Sequence, residues 1–376
     1  MSSVLVVHCI DTEGPLGGDA RRLPDGTPEF FDNWPDILAS LRELTDPRWR
    51  TEHPDSLGNE YRFNWFVMDF TGFRTNPKQR VAEYHDTWDH MHTLPIAPDG
   101  AYWHYHVPPE SRIGDQWSET WLSSNECNRV LVRRLLERDS FPAAFRAGGT
   151  IEDDAASRWL EHAVPIDYSN RVSALSQPNA DLFHFNWYGA PAIWGSYHPS
   201  HGSFLEPGAM RRYIYRSIDL RSRYNEVDQE LVDECFREVA ETGEHRVFSF
   251  FSHDNRDMRA ETVHVHELLS RAAQRVGVGW ESCTAVEAHR RYHGLQQEPV
   301  ALDLSLTTDG YVLIAGSAPL QPAPFVGARL HDGRFVRLFP SPDGERRWRV
   351  RCATERIDAI AAAVTSRDGS TTIVRQ

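Results

Sequence analysis

The sequence predicts an α/β protein, a complete or incomplete β/α barrel followed by a small all-β domain, on three observations. From residue 4 to about 290, short apolar strand candidates alternate with amphipathic helix candidates, as repeated βα units around a parallel sheet require. Polar, chemistry-bearing residues stand at the ends of those strands, where such sheets gather their sites. Beyond about residue 298 the pattern changes to apolar and polar alternation around Asp-Gly pairs, which signals hairpins.

Taken in order, "VLVVHCID" is followed by "WPDILASLREL", "RFNWFVMDF" by "QRVAEYHDTWDHM", and "AYWHYHV" by "NECNRVLVRRLLERD". "AAFRAGG" then precedes "DDAASRWLEHA", "VPIDYS" leads into a long loop, and "DQELVDECFREVAET" leads to "HRVFSFFSH" and the helix "ETVHVHELLSRAAQRV". An open doubly wound sheet is the fallback. Residues 1–295 are assigned to the barrel and 298–376 to a small β-sandwich-like domain whose turns fall at Asp-Gly 309/310, 332/333, 343/344 and 368/369. The linker "GLQQEP" is polar, so a chain ending near residue 296 is expected to fold as a barrel.

Composition excludes several classes. With 40 basic and 54 acidic residues the formal charge is −14, and no basic block interleaves with aromatics, so nucleic acid is not an expected partner. The first ten residues lack a signal-peptide pattern, and no apolar run is long enough to span a bilayer, so no membrane association is expected. Five scattered cysteines without a C-x-x-C suggest reduced thiols in a cytoplasm. Twelve tryptophans and twelve tyrosines offer faces for sugars, so the expected partner is a carbohydrate or other small molecule.

"AYWHYHVPPE" places His104 and His106 two apart at a strand end, where both point to one face. The same spacing at His264/His266 lies in a helical pattern, which separates the two rings. His90/His92 close a helical pattern, and one of that pair could line a cleft. In "IDTEGP", Asp11 and Glu13 are likewise two apart. One of these carboxylates with His104 and His106 completes a two-histidine, one-carboxylate metal set with open positions, and the other is left as a base. Asp69, Arg146, Asp167, His253 and Asp254 end other strands and join the candidate mouth.

These motifs, "IDTEGP", "WHYHVPP", "FRAGG", "IDYS" and "FSFFSHD" in that order, resemble the polysaccharide deacetylase family, the NodB-homology group of metal-dependent carbohydrate deacetylases, over residues 4 to 290. The resemblance implies a barrel of that family's type, a divalent metal expected to be zinc, Asp11 as base, Glu13, His104 and His106 as ligands, Arg146 orienting the base and His253 as general acid. It implies metal-dependent removal of an N-acyl group, expected to be acetyl, from an amino sugar or a small N-acylated metabolite. The chain departs from the family in having D-x-E where adjacent aspartates are usual, so base and ligand could be exchanged. Its histidines are two apart where four is usual. Asp254 or Asp167 is expected to pair with His253, and "WYGAPAIWGSYHPSHGSF" reads as a substrate loop whose His198 and His201 are rival ligands. Two alternatives stand beside this reading. One is a glycoside hydrolase using paired carboxylates such as Asp11 and Asp167; the other is a catalytically silent sugar-binding protein.

Overall fold

The computed structural model describes residues 2–15, 29–69, 83–106, 125–221, 224 and 226–376. Its first ten strands are β1 (Val4–Thr12), β2 (Phe63–Met68), β3 (Gly100–Tyr105), β4 (Ala144–Ala147), β5 (Ile166–Asn170), β6 (Ser196–Tyr197), β7 (Tyr213–Arg216), β8 (Ile218–Asp219), β9 (Arg246–His253) and β10 (Trp280–Ser282). They form one sheet in the order β6-β7-β5-β4-β3-β2-β1-β9-β8, with β10 beside the start of β1. Only β6 runs antiparallel to its neighbour. β7 pairs with β5 and β8 with β9, and the two are separated by Ser217 alone. The two ends of the curled sheet therefore meet in one stretch, residues 213–219.

Strand parity sorts the side chains. Leu5, Val7 and Cys9 of β1 share an inner cluster with Phe66, Tyr102, Ala144, Ile166, Tyr168, Tyr215, Val247 and Phe251. Val4, Val6 and Ile10 point the other way, toward the helices. Those are α1 (Trp34–Thr45), α2 (Pro47–Glu52), α3 (Asp86–Met91), α4 (Glu126–Arg138), α5 (Asp154–Glu161), the short α6 (Leu182–Phe185), α7 (Gln229–Thr242), α8 (Arg259–Val276) and α9 (Ala285–Tyr292). α9 places Ala285 and Ala288 in the inner cluster, which floors the ring. The helix expected over 79–91 is shorter. Residues 79–82 lie outside the described set, and His85 enters α3 with φ 67°, its N–H bonded to the Asp69 carbonyl and its ring to Glu137.

Eight further strands follow: β11 (Leu302–Thr307), β12 (Gly310–Ala315), β13 (Phe325–Leu330), β14 (Phe335–Leu338), β15 (Ser341–Pro342), β16 (Arg347–Val350), β17 (Ile357–Thr365) and β18 (Thr371–Arg375). They make two antiparallel four-stranded sheets, β11-β12-β16-β15 and β14-β13-β17-β18. The four Asp-Gly pairs fall at hairpin turns, with each glycine at positive φ. Leu304, Leu313, Val326, Ala328, Trp348, Ala362 and Val364 fill the space between the sheets.

The opposite face of the second sheet is also buried. Phe325, Ala361 and Ala363 pack into the cluster that holds Val130, Leu135, Ala156 and Leu160 of α4 and α5. This explains the unbroken apolar run in β17, whose last six residues are all buried. It also requires Gly327, because a Cβ there would stand 2.9 Å from the Val132 side chain. The polar linker suggested a self-sufficient barrel, but α4 and α5 use the second sheet as their cover. We therefore expect a chain ended after residue 296 to aggregate or melt well below the whole protein. Gly327→Val in the full chain should cost about 1–3 kcal/mol, the usual penalty of overpacking. A truncated chain that stays monomeric with an unchanged melting temperature would contradict the shared interface.

Two buried histidines make stability depend on pH. His8 lies between the Tyr61 hydroxyl at 3.0 Å and the Ser252 hydroxyl at 2.7 Å, and burial pushes its pKa down to about 3. His289 bonds the Tyr215 hydroxyl and the Arg367 carbonyl, and burial lowers it to about 4. Both folded values lie below the unfolded value of about 6.5, so the unfolded chain takes up the protons first as pH falls. Their contribution is complete above about pH 6.5 and declines below it by up to about 1.4 kcal/mol per pH unit for each ring. Thermal melts from pH 7.5 to 4.5 should show this acid slope, made shallower by His289→Gln. Equal slopes in the two proteins would remove His289 from the account.

Candidate metal centre

The inner parity of β1 continues past Cys9 to Asp11 and, beyond the strand end, to Glu13. The same parity in β3 brings His104 inward beside Tyr102, with His106 following, and in β4 it brings Arg146 inward beside Ala144. All five side chains are buried at the carboxyl end of the ring. The Glu13 carboxylate stands 2.9 Å from His106 Nε2 and 3.4 Å from His104 Nε2. Among the described residues this is the one group of three His, Cys, Asp or Glu side chains whose ligand atoms converge, all within 4.8 Å.

The hydrogen bonds decide what this group can hold. His104 Nδ1 lies 3.1 Å from the Arg146 carbonyl, which can only accept, so Nδ1 carries the proton. With Nδ1 so occupied, His104 turns Nε2 toward the Glu13 carboxylate, as His106 does. Two imidazole Nε2 atoms and a carboxylate converging in a buried site are a ligand set suited to a divalent cation. Ligand atoms bound at about 2.0–2.1 Å around a tetrahedral ion stand about 3.3 Å apart, and the spacing observed here matches that. Gly148 keeps the site compact, since a Cβ there would lie 2.4 Å from the His106 ring.

Asp11 is held apart from this trio. Arg146 donates Nε to Oδ1 at 2.6 Å and Nη2 to Oδ2 at 3.0 Å, while its Nη1 donates to the Tyr168 carbonyl at 2.5 Å and its guanidinium lies over the Phe251 ring. Burial pushes the Asp11 carboxyl upward, but Arg146 and then His104 outweigh it and hold the group below the usual carboxylate range. His253, inward at the end of β9, brings Nε2 to 3.9 Å from Asp11 Oδ2 and keeps 24 % of its side chain exposed. Burial lowers its pKa, opposed by the charges of Asp11, Glu13 and Asp219.

Other expected residues lie elsewhere. Asp167 sits between inward Ile166 and Tyr168 and therefore faces outward, where it meets Arg212, which also binds Glu152. It cannot pair with Asp11 or His253. Asp69 is outward for the same reason, against Arg134 at 3.5 Å. Asp254 does not pair with His253; its carboxylate accepts the N–H groups of Glu13 at 2.9 Å and Gly14 at 3.1 Å, and burial raises its pKa to about 7. It fastens the turn that presents Glu13. His198 follows β6, whose antiparallel course carries it to the amino end of β7, where it packs on Tyr213. His201 is exposed on the same connection. Neither is a rival ligand. His90 stacks on Trp34 and His92 packs on Trp88, so neither lines the mouth. His266 bonds the Pro54 carbonyl, as befits a packing residue.

Sequence reasoning missed the strand that closes the ring, and with it Asp219. Arg171 bonds Asp219 at 3.2 Å and Glu226 at 3.3 Å and lies over the Phe251 ring. The signal was present in "YIYRSID", where Tyr213, Tyr215, Ser217 and Asp219 share one parity.

No protein-family model matches the chain, and no curated protein does. Among solved structures it is similar to a protein from Parabacteroides distasonis provisionally described as a glycoside hydrolase/deacetylase, at 11% identity, over 84% of this chain and 81% of that chain, with TM-score 0.43. It is also similar to an alpha-L-fucosidase GH29 from Bacteroides thetaiotaomicron, at 11% identity over 96% and 93% of the two chains with TM-score 0.33. A bacterial fucosidase bound to an iminocyclitol inhibitor gives 12% identity over 96% and 94% with TM-score 0.31. The site is accordingly read from its own residues.

Metal content tests the trio directly. His104→Ala and His106→Ala should each lose most of the bound divalent metal after dialysis against a metal buffer, while His264→Ala and His266→Ala retain it. Gly148→Ala, which crowds His106, should weaken binding about 10-fold or more. Full metal content in both of the first two variants would sink the assignment.

Proposed function

We propose that this protein is a metal-dependent hydrolase that removes an N-acyl group, acetyl in the first instance, from an amino sugar or a small N-acylated metabolite. The observation that carries the reading is the division of labour between the two β1 carboxylates. Glu13 lies against two histidine Nε2 atoms, and Asp11 is bound bidentately by Arg146 beside His253. The order of motifs that resembles the polysaccharide deacetylases supports the same assignment.

Glu13, His104 and His106 would hold a divalent cation, with zinc suited to this ligand set. When bound, such a cation polarises an acyl carbonyl and makes water a stronger acid. Asp11, kept ionised and oriented by Arg146, accepts a proton from the attacking water as its oxygen bonds to the acyl carbon. His253, the most exposed member of the site, faces the leaving side and gives its proton to the amine nitrogen as the C–N bond breaks. The products are a carboxylic acid and a free amine. The negative charges of Asp11, Glu13 and Asp219 oppose the burial that lowers the His253 pKa and so favour its protonated form. A glycosidase on this mouth would have to draw its second carboxylate from a residue other than Asp167.

The test is acyl release from a panel of N-acetylated sugars and small N-acetylated amines, with metal content measured in parallel. Asp11→Asn should keep its metal and lose about 10²–10⁴ in kcat, the range of a general base. Glu13→Gln should lose metal first and recover part of its activity in excess metal. His253→Ala should keep metal and lose activity by a similar factor. If Asp11→Asn empties the site while Glu13→Gln stays filled and inactive, the two roles are exchanged. Near-normal turnover in both variants would overturn the mechanism.

A further inference from the structure

A second site lies on the outer wall, between the start of α4 and the β13–β14 hairpin. The cavity there is about 600 Å³, within the usual range of small-ligand sites. Its lining includes Arg129, Arg133, Arg334, Arg337, Phe335 and Phe339, with no carboxylate residue among the described residues that line it.

Three of the four arginines have carboxylate partners outside the lining. Arg129 pairs with Glu126 at 3.0 Å, Arg133 with Glu137 at 2.8 Å and Arg334 with Asp332 at 2.8 Å. Arg337 differs. Among the described residues no carboxylate lies within 4 Å of it; it donates to Asn128 Oδ1 at 3.2 Å and to the His162 carbonyl at 2.9 Å. Its guanidinium is surrounded by the rings of Phe325 at 4.6 Å, Phe339 at 5.0 Å and Trp159 at 5.4 Å. Burial lowers its pKa to about 10, the direction expected for a cation short of counter-charge. At the rim, Phe339 leaves 72 % of its surface in solvent, with its ring beside the Arg337 guanidinium. Tyr84 and Phe335 flank Arg133, so flat apolar faces alternate with cations along the groove.

We propose that this groove binds an acidic saccharide, its anionic group meeting Arg337 and Arg129 and a sugar face resting on Phe339. The saccharide half of the proposal rests on the carbohydrate reading of the mouth. The groove lies between the first turns of α4, the helix that follows β3, and the β13–β14 hairpin, and Arg337 also reaches the carboxyl end of α5. The shared chemistry is an anion on a sugar ring, and a carboxylate or a sulfate ester could supply it.

The test is calorimetric titration of the full chain with trigalacturonate, a sulfated trisaccharide, neutral chitotriose and inorganic sulfate. At least one acidic trisaccharide should bind, 10-fold or more tighter than chitotriose or inorganic sulfate, and should weaken by at least that factor between 50 and 500 mM salt. The tighter of the two identifies the anion. Phe339→Ser and Arg129→Gln, both surface changes that should leave the melting temperature intact, should each weaken this binding by about 5-fold or more. Arg337→Gln should abolish it, but that change also removes a tie between the sheet and α4, so the two surface variants decide. Binding equal to chitotriose, or binding unaffected by both surface variants, would overturn the proposal and leave Arg337 as a structural tie. The titration involves no turnover. Acidic-saccharide binding by a protein with no acyl-hydrolase activity would therefore sink the catalytic reading alone, and an active hydrolase that ignores both acidic probes would sink the groove alone.

Discussion

The carbonyl oxygen of Arg146 decides the chemistry of the mouth. By accepting the His104 Nδ1 proton it turns Nε2 toward Glu13, which together with His106 Nε2 makes a buried ligand set suited to a divalent cation. The side chain of the same residue takes Asp11 out of that trio by binding both of its oxygens. One residue on β4 thus separates Asp11 from Glu13, although the two acids are two apart in sequence and share an inward parity. The rest of the ring serves this separation. Phe251 supports the Arg146 guanidinium, Gly148 leaves room for His106, and Asp254 fixes the turn that carries Glu13.

The part of this that was legible in the sequence depended on the two-residue period of a strand. That period placed Asp11 with Glu13 and His104 with His106 on inward faces, and it set His104/His106 apart from the helical His264/His266. Where it was not applied, the reading failed. Asp167 and Asp69 stand near strand ends, yet inward Ile166 and Tyr168, and Phe66 three residues before Asp69, put both on the outward parity. His198 and His201 were drawn toward the mouth by composition, and only the antiparallel direction of β6 shows that they belong to the other end. The closing strand was hidden because "YIYRSID" mixes an arginine and a serine into its alternation, although those polar residues are what an interior near a site would carry.

The all-β segment shows a different limit. Its hairpins were legible from four Asp-Gly pairs, since glycine alone takes the positive φ that these turns need at little cost. Its attachment was not, because an apolar alternate face in β13 and β17 does not say what covers it. The second sheet is buried on both sides, by the first sheet and by α4 and α5, and the same contact creates the groove that carries Arg337 and Phe339. Packing and a second binding surface therefore have one origin.

The central claim is that Glu13, His104 and His106 hold one cation while Asp11 does not. A crystal of the zinc-loaded protein, with anomalous data collected on both sides of the zinc edge, tests it most directly. The account predicts one strong peak about 2.0–2.2 Å from His104 Nε2, His106 Nε2 and a Glu13 carboxylate oxygen, with Asp11 still bound to Arg146. A peak ligated by Asp11 in place of Glu13, or no peak at this mouth in a metal-loaded protein, would contradict it.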